Sequence, residues 1–283
     1  MHEVCQLPGR CGVDHVILEV ELDGKKFFVD PQLKNFDWGQ YPQEYNNAYL
    51  LVIQDEGYRF ANIPVASVKE TKNLYKILCR LNAAGAASYD VIARLNTEVS
   101  NYIRLLWRNI PQESKGKFFE DMETQFARGG QLTNPRLDGV DTRYGPVLLK
   151  FNVRALHAYQ KTNEMIILSE PVAQYFPNPF SSRDRIYPVF IPGEEIHRIL
   201  VVYSIPEGYV VDYVPKDFNL ENEVFGLSRK TAVSGSRIDV NYLFRTKRAR
   251  VSRERYPEML KVWRVYDREI RNAIILKAKN RGR

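Results

Sequence analysis

From Asp14 to Pro31 the chain reads DHVILEVELDGKKFFVDP, two alternating apolar and polar runs flanking Asp23-Gly24. A type I′ turn needs positive φ at both central residues, which Asp-Gly tolerates, so this segment is expected to form a β-hairpin. Residues 35–64 look loop-rich, with one apolar strand at Ala48–Ile53. Leu74–Leu81 and Ala86–Leu95 read as a second hairpin about Asn82–Gly85, with helix as the rival. Thr97–Ile110 is expected as a helix with Val99, Ile103, Leu106 and Ile110 on one stripe and Pro111 as its stop. A second amphipathic helix is expected over Lys115–Arg128, using Phe118, Phe119, Met122 and Phe126 and ending at Gly129-Gly130.

From Gly145 the period becomes two. Val147, Leu149, Phe151, Val153 and Ala155 mark one buried strand face. Further strands are expected at Met165–Leu168, Ile186–Ile191, Ile196–Ile205, Tyr209–Val214, Val224–Thr231 and Ile238–Arg245, the last two about a Ser234–Ser236 turn. A helix over Tyr256–Ile270 and a strand over Ala273–Ala278 close the chain.

The first hairpin carries the one pairing with chemistry in it. Turning at Asp23-Gly24, it sets Leu22 opposite Lys25, Glu19 opposite Phe28 and Ile17 opposite Asp30. His15 shares a face with Ile17 and is a diagonal neighbour of Asp30, about 7 Å away at Cα. Val16, Leu18, Val20, Leu22, Phe27 and Val29 make up the other face, expected to be core, so His15 and Asp30 are expected to project from the polar side. A carboxylate there can hold one imidazole nitrogen and leave the other as a base; an exposed pair sharing a weak surface contact is the alternative.

At 283 residues, with 44% apolar and 27% charged side chains, the composition is that of a globular protein with room for about two domains. No apolar run is long enough to cross a bilayer, and no signal peptide follows Met1, which is expected not to be the true start. Cys5, Cys11 and Cys79 are neither a disulfide framework nor a C-x-x-C metal motif, and His2, His157 and His197 show no ligand spacing. No cofactor or metal is expected. A net charge of +7 is concentrated near the C-terminus, where the Arg245–Arg255 stretch is read as a solvated strand face in preference to a nucleic-acid surface. Trp38, Trp107 and Trp263 are read as core or helix-face anchors.

The stretch QLPGRCGVDHVILEVELDGKKFFVDP resembles the second half of the transglutaminase-like catalytic core, where a strand bearing F-x-H-x-x-V is followed by a hairpin return ending in D-P. His15 matches that family's histidine and Asp30 its aspartate, while Val13 replaces the phenylalanine and Gln32 the threonine that often follows D-P. Gly39-Gln40-Tyr41-Pro42 looks like the G-x-L-P that comes next. Farther on, Asn178-Pro179-Phe180, Arg183, Arg185, Tyr187-Pro188-Val189, and Ile205-Pro206-Glu207-Gly208-Tyr209 with Val214-Pro215 resemble the domains that follow this core in some bacterial members.

The resemblance implies a Cys-His-Asp site in which a thiolate attacks an amide carbonyl. The family's cysteine lies on a helix well upstream of the histidine, and only fourteen residues precede His15. Cys5 and Cys11 align with the loop before the strand, and Cys79 falls in the apolar run Ile77–Leu81. The expected fold is therefore α+β in three parts: a hairpin remnant of a transglutaminase-like core (1–64), a mixed middle domain (65–164) and a C-terminal antiparallel β-sandwich (165–283). The expected function is that of a truncated protein with no turnover of its own, lacking its N-terminal catalytic portion and acting, when whole, on a protein or peptide substrate in the periplasm or cell envelope. The alternative is a non-catalytic module binding protein or glycan there.

Overall fold

The computed structural model describes residues 15–34, 36, 38, 40–64, 72–126, 130–156, 158–168, 180, 185–191, 193–247 and 249–279. Two short hairpins come first, β1 (Leu18–Leu22) with β2 (Lys25–Val29) and β3 (Tyr49–Ile53) with β4 (Tyr58–Asn62). The chain continues as β5 (Lys72–Leu81), β6 (Ala87–Arg94), α1 (Thr97–Asn109), α2 (Lys115–Phe126), β7 (Gln131–Asp138), β8 (Leu148–Ala155), β9 (Gln160–Lys161) and β10 (Met165–Leu168). After these come β11 (Val189–Ile191), β12 (Ile196–Ser204), β13 (Tyr209–Tyr213), β14 (Phe218–Glu221), β15 (Phe225–Ser234), β16 (Arg237–Thr246) and β17 (Ala249–Val251). Helix α3 (Tyr256–Ile270) and β18 (Ile274–Ala278) end it. The described residues are β-rich and include three α-helices.

An eight-stranded sheet in the order β14-β15-β16-β12-β5-β6-β8-β7 dominates. Its pairs are antiparallel except β5 and β12, which run parallel from Lys72↔Ile196 to Arg80↔Ser204. Register carries one buried row across five strands: Val240, Val201, Ile77, Val91 and Phe151 are mutual neighbours, each no more than 5% exposed. Alternation in the sequence puts those residues on one face, and pairing aligns the faces. A four-stranded sheet, β13-β18-β10-β9, and α3 share this apolar core through Ile166, Ile274, Leu276, Met259 and Trp263. The strands expected for residues 165–283 are thus not self-contained. The parallel β5–β12 pair carries the main sheet across residue 165, because β12 has two strong edges to satisfy and β16 fills only one.

Local chemistry sets the ends. Asn96 caps α1 by accepting from the Val99 amide at 2.8 Å, and the Asn82 side chain closes the β5–β6 turn by accepting from the Ala84 and Ala86 amides. The hairpin reading of residues 74–95 therefore holds over its helical rival. On α1 the fully buried residues are Ser100, Asn101 and Arg104, with Val99 and Ile103 partly buried beside them, so the apolar stripe is turned from its expected place. Ser100 explains part of this: its hydroxyl donates to Leu95 O and accepts from the Val147 amide, stitching α1 to the strand entrance of β8. Trp107 meets Phe118 and Phe119 edge-on, and Trp263 lies in the core, but Trp38 is 54% exposed, with its ring edge-on to Phe27.

Candidate functional site

The β1–β2 register is Leu22↔Lys25 through Leu18↔Val29, the pairing that an Asp23-Gly24 turn dictates; φ is +50° at Asp23 and +70° at Gly24. His15 stands just before β1 and Asp30 just after β2. The His15 Nε2–H donates to Asp30 Oδ2 at 2.6 Å. The His15 side chain is 31% exposed and that of Asp30 2%. Two further donors hold the carboxylate: the Gln32 amide at Oδ1 (2.9 Å) and the Tyr45 hydroxyl at Oδ2 (2.9 Å). Burial works against ionisation of Asp30, but the Gln32 amide, His15 and Tyr45 outweigh it and hold the carboxyl below its ordinary range. Asp30 is therefore an anion at neutral pH with its acceptor sites engaged.

Which hairpin face is covered differs from expectation. Phe28 and Asp30 are buried, whereas Val16, Leu18 and Leu22 are 75%, 52% and 55% exposed. The His15–Asp30 face is covered because β4 reaches it, with Arg59 paired to Glu19, and because the Tyr45 ring lies 5.6 Å from that of His15. Alternation separates the two faces of a strand pair; it does not say which one a neighbour occupies.

Sequence reasoning missed Tyr45. It belongs to a single turn of 3-10 helix, Gln43–Tyr45, started by Pro42 within the stretch read as loop. That turn is itself fastened to the β-rich body. The Gln43 amide donates to Glu98 Oε2 at 3.2 Å in the first turn of α1. Gly193 lies against the same turn, where a Cβ would come within 2.8 Å of Gln43 Oε1 and 3.0 Å of Asn46 Nδ2. Burial pushes the Glu98 carboxyl up, with Glu195 and Glu44 adding to it and the Gln43 amide opposing.

With its proton on Nε2, the neutral His15 ring has its lone pair on Nδ1, and Asp30 is placed to stabilise the imidazolium formed when Nδ1 takes a proton. An imidazole oriented by a carboxylate in this way can act as a general base, one half of what a nucleophilic site needs. No described residue supplies the other half. Cys79 is 1% exposed in the core face of β5, opposite Tyr89, whose hydroxyl is pushed up by burial and by that thiol. Cys5, Cys11, His2, His157, Arg248 and the Asn178-Pro179 pair lie outside the described residues.

The second histidine–acid contact is structural. His197 Nε2 is 3.1 Å from Glu195 Oε1, and its ring is buried parallel to that of Tyr75. Glu195 also accepts from Asn73, whose own carbonyl oxygen accepts from the Asn96 amide at the α1 cap. Among the described residues no three His, Cys, Asp or Glu side chains are grouped to hold a metal ion. In the basic stretch, Arg245 pairs with Glu221, Lys247 with Glu221 and Asn222 O, and Arg255 with Glu223.

Residues 163–276 match the family model described as a domain of unknown function, DUF3858, of which a structure has been solved. That match does not reach His15 or Asp30. No curated protein matches the chain. Among solved structures, a candidate protease from Parabacteroides distasonis is similar at 9% identity with a TM-score of 0.32, over 42% of this chain. The chain spans 24% of that protein's length. No described helix is long and apolar enough to cross a membrane.

Proposed function

We propose that His15 and Asp30 are the proton-shuttling and orienting members of a cysteine-dependent acyl-transfer or amide-hydrolysis site of the transglutaminase-like kind, and that the described residues alone give no turnover. One observation carries the reading: an imidazole held at 2.6 Å by a carboxylate that is itself buried and triply hydrogen-bonded. In such a site His15 Nδ1 takes the thiol proton as sulfur attacks an amide carbonyl of a protein or peptide. The imidazolium returns the proton to the departing amine, leaving a thioester that water or a second amine resolves. The thiol comes from outside the described residues, and the cell envelope is the proposed setting.

The deciding experiment alkylates the protein expressed with any in-frame coding sequence upstream of Met1. One cysteine there should react with iodoacetamide many-fold faster than a free thiol near pH 6, and His15→Ala should abolish the excess. Equal rates in both proteins would sink the proposal. In the 283-residue chain, Cys5 and Cys11 should label at ordinary thiol rates; fast labelling of either near pH 6 would place the nucleophile within it.

A second reading rests on a different surface. Leu51, Ile53, Tyr58 and Phe60 share the outward face of β3–β4 and are 49%, 81%, 68% and 50% exposed, as befits a non-catalytic module that binds protein. Alkylation indifferent to His15 would favour it.

His15→Ala should cost little stability, about 1.5 kcal/mol or less, because Asp30 keeps the Gln32 and Tyr45 donors. A loss beyond ~3 kcal/mol in urea denaturation would make the histidine structural.

A further inference from the structure

We propose that Tyr45 is the positioning residue of the His15–Asp30 pair, and that the β-rich body sets the pair's geometry through the Gln43–Asn46 turn. The inference rests on the reading of that pair as a site, but its test does not depend on turnover. Three observations converge. Tyr45 donates to Oδ2, the same oxygen that His15 Nε2 engages, so it fixes the rotation of the carboxylate about its last bond. Its ring also lies 5.6 Å from the imidazole, limiting the positions open to His15. The turn that carries Tyr45 is held from the other side by Glu98, which accepts from the Gln43 amide, and its Gln43 and Asn46 side chains pack against Gly193.

The hairpin therefore does not hold the pair alone. β1 and β2 bring His15 and Asp30 within reach of each other, since Leu18↔Val29 is the last ladder pair and both residues lie just beyond it. A carboxylate at the frayed end of a two-stranded ribbon would otherwise sample several rotamers. The third donor comes from a segment whose anchors are the start of α1 and the loop before β12. Anything that displaces those anchors moves Tyr45 and, through it, the pair. Glu98 touches neither His15 nor Asp30 in any described hydrogen bond, which makes it the informative position.

The experiment reads the nitrogen chemical shifts of the His15 ring and the carboxyl carbon shift of Asp30 by NMR across pH, in the 283-residue chain and three variants. In Tyr45→Phe the Asp30 midpoint should move upward, because one donor that favours the anion is gone, and the share of neutral His15 with its proton on Nε2 should fall. Glu98→Ala should change the His15 signals in the same direction, and Glu98→Gln, which keeps an acceptor for the Gln43 amide, should restore them. Wild-type signals in Tyr45→Phe would overturn the positioning role. Wild-type signals in Glu98→Ala, or no difference between the Ala and Gln variants, would overturn the link to the body. Failure of the alkylation experiment above with these shifts intact would remove the cysteine chemistry and leave the positioning.

Discussion

Replacing Arg104 with Ala should lower stability by about 3–4 kcal/mol, seen as a reduced urea midpoint at unchanged m-value. Arg104 is fully buried on α1, and its guanidinium gathers the loop between β7 and β8. Nε and Nη2 donate to Gly139 O at 3.2 and 3.1 Å, Nη2 also to Gly145 O at 2.5 Å and Tyr144 O at 3.2 Å, and Nη1 to Asn101 Oδ1 at 2.9 Å. Ala would take these donors from the Gly139, Tyr144 and Gly145 carbonyls, and the single Thr142 hydroxyl near Gly139 O and Tyr144 O cannot replace them. Removing one partner of a buried polar group costs more than never having built the pair, so this loss should exceed that of truncating an exposed arginine several-fold. Arg104→Lys should recover little, since one ammonium cannot span a fork of carbonyls. Amide exchange in residues 139–147 should rise in parallel. A loss under ~1 kcal/mol would show that water replaces the guanidinium without difficulty.

Arg104 also shows where reading the chain falls short. The period of α1 was visible, but its buried face was assigned to Val99, Ile103, Leu106 and Ile110, which are only partly buried, when Ser100, Asn101 and Arg104 hold it. Apolar periodicity assumes that burial follows hydrophobicity, and a long cation that satisfies loop carbonyls breaks that assumption. Where the core is apolar the same reasoning worked well: Val147, Leu149, Phe151 and Val153 are all buried, and α3 spans Tyr256–Ile270 as its pattern demands. β7 escaped notice for a different reason. It is the edge of the main sheet, and a register shift between Thr133 and Arg136, with Asn134 at φ +52° before Pro135, destroys the alternation that marks a strand. β4 and the Gln43–Tyr45 turn lie in the stretch that was read as loop-rich apart from one strand.

The candidate site divides the same way. Turn chemistry placed His15 and Asp30 as diagonal neighbours on one face, because a two-residue loop fixes the facing pairs behind it; their contact also draws on residues outside the hairpin. Tyr45, fifteen residues past Asp30, has no such local rule to announce it. Its role depends on how a turn of 3-10 helix is docked, and docking is a property of the folded body.

The second large effect tests that body as a unit. Trp263→Ala should cost about 4 kcal/mol, since a buried indole leaves a large cavity among rigid neighbours. The ring is 4% exposed, and its centroid is 4.7 Å from that of Tyr266, 5.2 Å from Phe225, 5.8 Å from Phe180 and 5.9 Å from Phe244. These neighbours belong to α3, β15, β16 and the segment before β11, all beyond residue 165. If the parallel β5–β12 pair makes the two sides of residue 165 one cooperative structure, the variant's whole transition should shift together, by the same amount for probes on β6 or β8 as on α3. A biphasic curve, in which α3 and β16 unfold early while β6 and β8 keep the wild-type midpoint, would mean that residues 165–283 fold as a domain of their own. The physical expectation favours one transition. Val201 and Ile77 are hydrogen-bonded neighbours in adjacent strands and each is no more than 2% exposed, so separating them would strip water-free apolar surface from both at once.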